Sequence, residues 1–472
     1  MSYTIFFDSL FRTLIIAFTA LGGGAFIVRV LSRRSQRIKF ILLPMSLCFF
    51  IPPVAIGYGY TSLSYQLIQY PFLHEVLYTL IMVSRLIGPA AIILFFLPLS
   101  ASQESRHCFK LISGGASSFK YIKYLLHASL WRYALVFSLI FLFAFSEFEL
   151  ASMMNIEHWS VSLFDAYAQG IAVAPALKLH LLPLIVQAFL MLILLSILEP
   201  LRNSISCSSS SVREAASPCT LRYLSVILIF AVCMLLSFLL PLFMIAASAF
   251  HGGLEVFRSL WMFKEIMNSL LIAASVTVGS YFIAIFLLRI NCLKYKTVLL
   301  LIFLPALTGI LPLSLVTLEI FQFPLINVLY NTPIPLVLAL LLWTLPFIII
   351  LKIVLELFAD NESVYSAELM LSFSGRAASE ILWRLKFRRT LWICFLVFTL
   401  TYFNFTASTI LAPAGMTTVT ERFYNLMHYG ESERLSATVC ITMIIPLLLF
   451  SLISVIFKFT LKMRYRFLGD SG

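Results

Sequence analysis

Two charged residues sit inside stretches that are otherwise apolar enough for lipid. Arg85 is about nine residues into the run 75–99, a depth of about 14 Å at the α-helical rise, and Glu147 is about seven residues from the end of the run 133–154, or about 10 Å. A charge at that depth is costly and faces either a cavity or an opposite charge. The matching depths let Arg85 pair with Glu147 or with Glu149. Such a pair either locks the helices around it or lines a path for a solute. His180, near one end of the run 176–199, has no second ligand at helical spacing, so an interfacial position is expected rather than a metal site.

Other chemistry is excluded by pattern. No GxxxxGK[ST] phosphate loop occurs, and there is no Gly-Lys dipeptide at all, so ATP is not held by a P-loop in this chain. No His with Asp, nor any pair of acids, clusters at one end of the apolar runs as a membrane-embedded enzyme would need. No cofactor is expected, and the eight cysteines fall in runs or in inside loops, so no disulfide is expected. Two connections of about 30 residues, 100–132 and 356–390, each hold a central glycine, Gly115 and Gly375. A glycine there can end one short helix and start the next at an angle.

The elements that position these residues follow from composition. A chain of 472 residues that is 61% hydrophobic, 15% aromatic and 11% charged has lipid as its solvent. Apolar runs long enough to span a bilayer occur near 13–30, 40–60, 75–99, 133–154, 176–199, 222–247, 266–288, 298–318, 334–355, 391–411 and 438–457. The expectation is therefore an all-α polytopic membrane protein with about 11 transmembrane helices. The net charge of +12 is scattered in short clusters between runs, which is membrane topology rather than a nucleic-acid surface. With the N-terminus outside and the C-terminus cytoplasmic, 26 of the 33 basic residues fall inside. The positive-inside rule selects that orientation.

Landmarks recur at a nearly constant interval: Ser9 and Ser269, Arg29 and Arg289, Pro44 and Pro305, Pro89 and Pro346, Gly115 and Gly375. This is the signature of a tandem duplication. A five-span unit ends on the face opposite its start, so the extra run 222–247 restores parity and makes the repeats parallel, with both glycine-centred loops on the cytoplasmic face. The expected organisation is a first half at 1–200, a Ser-rich linker at 201–221 and a second half at 222–472 that opens with the linking helix.

The stretches GGASSFKYIKYLLHASLWRYALVFSLIFLFAFSEFELAS and SGRAASEILWRLKFRRTLWICFLVFTLTYFNFTAS resemble the coupling-loop signature of binding-protein-dependent ABC importer permeases. Within that family the chain is most similar to the fused double permeases that include ferric iron and thiamine importers. The downstream run LAPAGMTTVTERFYNLMHYGESERLSA is the most specific part of the likeness. The family's Glu-Ala-Ala falls on Phe109, Lys110 and Leu111 before Gly115, and on Leu369, Met370 and Leu371 before Gly375, with Glu368 one place early. The acidic position of its Gly-Glu-Phe-Gly-Ala-Ser motif is Glu147 in the first half and Asn404 in the second.

The resemblance implies a permease subunit in a bacterial cytoplasmic (inner) membrane, not itself an enzyme. It implies two copies of a separate ABC ATPase meeting the loops at Gly115, Ala116, Ser117, Glu368, Gly375 and Arg376, and an extracytoplasmic solute-binding protein. Ferric iron, thiamine, polyamines and small oxyanions all fit as solute. A secondary transporter with internal repeats is the first alternative, and a membrane-embedded enzyme the second.

Overall fold

A chain this apolar can satisfy its backbone hydrogen bonds in lipid only within helices or a closed barrel, and the computed structural model takes the first solution. It describes residues 3–31, 48–97, 118–204, 220–256, 260–290, 302–306, 308–357 and 387–469, with isolated positions at 42, 44, 45, 108, 366, 369 and 381–383. Among the described residues every regular element is helical.

The first helices are α1 (Tyr3–Leu31), α2 (Pro53–Leu67), α3 (Pro71–Phe96), α4 (Ser118–Phe145), α5 (Glu149–Met153), α6 (Trp159–Ala168), α7 (Val173–Leu179) and α8 (Leu181–Ser204). Next come α9 (Thr220–Met234), a π-helical turn (Leu235–Leu239), α10 (Leu240–Val256), α11 (Leu260–Arg289), α12 (Ile310–Phe321) and α13 (Ile334–Leu357). The last are α14 (Arg388–Tyr402), α15 (Phe405–Leu411), α16 (Val419–His428) and α17 (Ser432–Gly469).

Six of the described helices are long and apolar enough to cross a membrane, and up to eight if each of two bent pairs makes one crossing. Two shorter apolar helices, Leu130–Phe145 and Ile310–Phe321, overlap the expected runs 133–154 and 298–318. The runs 40–60 and 298–318 are in part outside the described residues.

Among the described residues several runs that read as continuous are broken, and three of the breaks have a clear local reason. The run 133–154 stops at Phe145 and restarts at Glu149, where Glu147 Oε1 accepts from the backbone N–H of Leu150 at 3.1 Å. The run 391–411 bends by 51° between α14 and α15, where the Asn404 side chain accepts from Ala407 N at 2.9 Å. In both, a side-chain oxygen supplies the acceptor that the first turn of the new helix lacks. The third break bends α7 from α8 by 73° at His180. Pro183, which has no N–H, removes the bond that would continue α7.

The chain divides into two compact units: Met1–Met244 with Leu299–Pro312, and Ile245–Val298 with Leu313–Gly472. In the first, α1 packs along α3 and α4. A Cβ on Gly24 would stand 2.9 Å from Ala91 N and 3.0 Å from Ala90 Cβ, so small residues let these helix backbones approach closely. The π turn also belongs here. Tyr60 Oη donates to Leu236 O at 2.7 Å, and Ser84 bonds Ser237. In the second unit α11 packs on α13 and α14, and Ser280 bonds Thr344 at 2.9 Å between α11 and α13. Most of the expected linker, residues 205–219, lies outside the described residues.

Candidate functional site

On α3 the residues Glu75, Tyr78, Met82 and Arg85 recur at helical spacing and form one stripe. At its deep end Arg85, 5% exposed, places Nη1 3.6 Å from Glu147 Oε2 and 3.9 Å from Met82 Sδ. The first distance makes an ion pair but not a hydrogen bond. Glu147 thus does two things: one oxygen caps α5 and the other faces Arg85. Glu149, also buried, is the first residue of α5. Pro89 lies one turn beyond Arg85 and has no N–H, which leaves the Arg85 carbonyl without its helical donor.

At the shallow end Arg12 of α1 joins three segments. Its Nε and Nη2 donate to the two oxygens of Glu75 at 2.6 Å each, Nη1 donates to Glu157 O at 3.0 Å, and the guanidinium lies 5.6 Å from the Tyr78 ring centre. The bidentate geometry is the strong form of a carboxylate pair. Tyr78 Oη, Arg85 Nε and His158 Nε2 are buried without a hydrogen-bond partner. The stripe therefore carries two ion pairs, Glu75 with Arg12 at one end and Arg85 with Glu147 at the other.

His158 precedes α6, outside the apolar spans, and caps it: Nδ1 accepts from Ser160 N at 3.3 Å and lies 2.7 Å from Ser160 Oγ. Burial, with a smaller push from the Arg12 charge, lowers its pKa to about 3. The ring is thus neutral in the fold and becomes charged on unfolding below about pH 6.5. Stability is full above that pH and falls as pH drops towards 3, by about 1.4 kcal/mol per unit for this group. Thermal unfolding in detergent between pH 7 and 4 should show the loss. His158→Thr, which keeps a capping oxygen but cannot titrate, should flatten the profile.

The same set of local interactions occurs in each unit at an interval of 260. Ser9 Oγ accepts from Trp159 N at 3.1 Å, and Ser269 Oγ accepts from Val419 N at 2.9 Å. These are the first residues of α6 and α16, which are capped by His158 and Thr418. Both helices end alike. Gly170, at φ +85°, donates to Tyr167 O with Ile171 N on Ala166 O, and Gly430, at φ +72°, donates to Met427 O with Glu431 N on Leu426 O. Each is a Schellman close, and the left-handed φ is what glycine supplies. Ser160 Oγ also donates to Glu147 O and Thr420 Oγ1 to Asn404 O, the donors 260 apart and the acceptors 257. Ser9→Ala and Ser269→Ala each strand a buried N–H, so each should destabilise by about 1–3 kcal/mol. The two losses should add in the double variant, as denaturation in detergent can measure.

The charges do not recur. At the matching intervals Arg12 becomes Ile272, Arg85 becomes Leu342 and Glu147 becomes Asn404. The Arg12–Glu75 pair was missed from sequence, although Arg12 and Glu75 stand at the starts of the first and third runs, on the same expected face of the membrane. His180 is buried within the protein: Nδ1 donates to Ala176 O at 2.8 Å, and Nε2 lies 3.2 Å from Ser162 Oγ. Among the described residues no group of three or more His, Cys, Asp or Glu could hold a metal ion. Gly115, Ala116, Ser117, Glu368, Gly375 and Arg376 lie outside the described residues. No family model, curated protein or solved structure matches the chain.

Proposed function

We propose that the chain is a fused permease of an ABC importer, built from two parallel repeats that together make about 11 crossings. The observation that carries this reading is the recurrence at 260 residues of the serine latch, the helix cap and the glycine close. A duplication of one folding unit accounts for four backbone and side-chain bonds in each unit falling at equivalent places. The glycine-centred loops, with the likeness of their surroundings to importer coupling loops, add the partner: two copies of a separate ATPase on the cytoplasmic face. An extracytoplasmic binding protein delivers the solute, of the ferric iron, thiamine, polyamine or oxyanion class. The membrane is a bacterial inner membrane, with the N-terminus outside.

In this mechanism the chain performs no catalysis. ATP-driven closure of the ATPases reorients the two halves, and the solute passes between outward and inward states. Arg85, Glu147 and Glu149 contribute either a lock within the first half or a polar lining of the path. The buried charges of the first half favour one competing reading, a secondary transporter that couples solute to an ion gradient.

Uptake into proteoliposomes separates the two. The importer reading predicts uptake that needs the ATPase, ATP and binding protein and survives collapse of ion gradients by ionophores. Uptake by the chain alone, abolished by an ionophore, would replace it with the secondary transporter.

A further inference from the structure

Between Glu319 and Lys352 the sequence contains no Asp, Glu, Lys, Arg or His, although the stretch includes the whole connection from α12 to α13. That connection is also strongly apolar at its surface. Leu325 is 94% exposed, Val328 86% and Phe323 64%, far beyond what a soluble turn leaves in water. Exposed apolar side chains flank it on both helices, Val316 and Ile320 on α12 and Ile334 and Leu338 on α13.

The backbone of this connection is unusual in a second, independent way. The N–H groups of Phe323, Ile326, Leu329, Tyr330 and Thr332 donate to the carbonyls of Ile320, Phe323, Ile326, Asn327 and Leu329, at 2.9–3.2 Å. Thr332 Oγ1 accepts from Ile334 N and donates to Leu329 O, and Pro324 and Pro333 have no N–H to satisfy. A chain of tight turns around the 3₁₀ segment Asn327–Leu329, with Gln322 N donating to Leu318 O, thus bonds six of the ten N–H groups of residues 322–333. Backbone that meets its own hydrogen bonds suits a zone where water is scarce.

We propose that the connection 322–333 is a lipid-interface anchor, with Phe323, Leu325 and Val328 set among acyl chains and Asn327 and Asn331 at the headgroup level. The occupant is the bilayer itself, because the patch is continuous with the flanks of two apolar helices and offers a protein or solute partner no charge to recognise. Apolar side chains at the interface, with polar atoms towards the headgroups, are the usual means of such anchoring. The proposal rests on α12 and α13 being membrane helices, and not on the transport mechanism. It holds in either leaflet.

The test uses the full chain in nanodiscs, with an environment-sensitive fluorescent amino acid encoded at Leu325, at Leu338 on α13, or at the exposed Glu157. Quenching is compared between lipids carrying a shallow nitroxide and aqueous iodide. The proposal expects lipid quenching at 325 near that at 338 and several-fold above that at 157, with iodide reversing the order. Iodide quenching at 325 equal to that at 157 overturns it. Protection from both quenchers also overturns it, since a protein would then cover the loop. Absence of lipid quenching at 338 would instead show that α13 is not lipid-facing, a failure of the membrane assignment rather than of the anchor alone.

Discussion

Replacing Arg85 by Leu should destabilise the protein by about 3–5 kcal/mol, because it strands a carboxylate at a site taken out of water. Adding Glu147→Asn should restore most of that loss. Leu and Asn are the residues the second half carries at the matching positions, Leu342 and Asn404. Asn404 accepts from Ala407 N as Glu147 accepts from Leu150 N, so the exchange keeps the cap on α5 while removing the charge. Thermal unfolding in detergent measures the stability, and solute uptake by the same variants separates the two roles of the pair. Recovered stability with recovered uptake marks a structural lock. Recovered stability with uptake still lost marks a polar lining of the path.

The second large effect is expected at Gly115 and Gly375. Valine removes the backbone conformations that glycine allows and stiffens the side chain at Cβ, so on the permease proposal the turn expected at the centre of each loop is lost. The apolar helices are untouched, so each variant should insert and purify normally. Solute-stimulated ATP hydrolysis should fall by about tenfold, equivalent to ~1.4 kcal/mol of coupling. Gly375→Val should be the more damaging, since the second loop keeps Glu368 beside the family position and the longer likeness follows it. Normal stimulated hydrolysis in the double variant would remove the coupling role assigned to these loops.

Much of the helical framework was legible because lipid leaves the chain few alternatives. Uninterrupted apolar runs gave α1, α3, α11 and α13 directly, and equal depth gave the Arg85–Glu147 pair. The breaks were not legible. Hydropathy sees Ser146 to Phe148 or Phe403 to Phe405 as more apolar chain, whereas the helix ends there because Glu147 or Asn404 turns its side chain back onto the next backbone. The run 40–60 shows the same limit at Pro52 and Pro53, where α2 begins.

The Ser9 and Ser269 interval was visible in the sequence, but not what it does. The partner of each serine is a backbone N–H 150 residues away, which leaves no mark on residue type. His158 was invisible for a related reason. Its role as a cap is filled by Thr418 in the other unit, so nothing in the local pattern singles out a histidine.

The central claim is that one chain supplies both halves of an ATP-driven permease, and stoichiometry tests it most directly. The chain, 53.4 kDa, should be purified from its native membrane in mild detergent and the intact complex weighed by native mass spectrometry. The account predicts one copy of the chain with two copies of an ATPase, and loss of that complex when both Gly115 and Gly375 are valine. A particle containing the chain without any ATPase, from membranes in which it still moves solute, would contradict it.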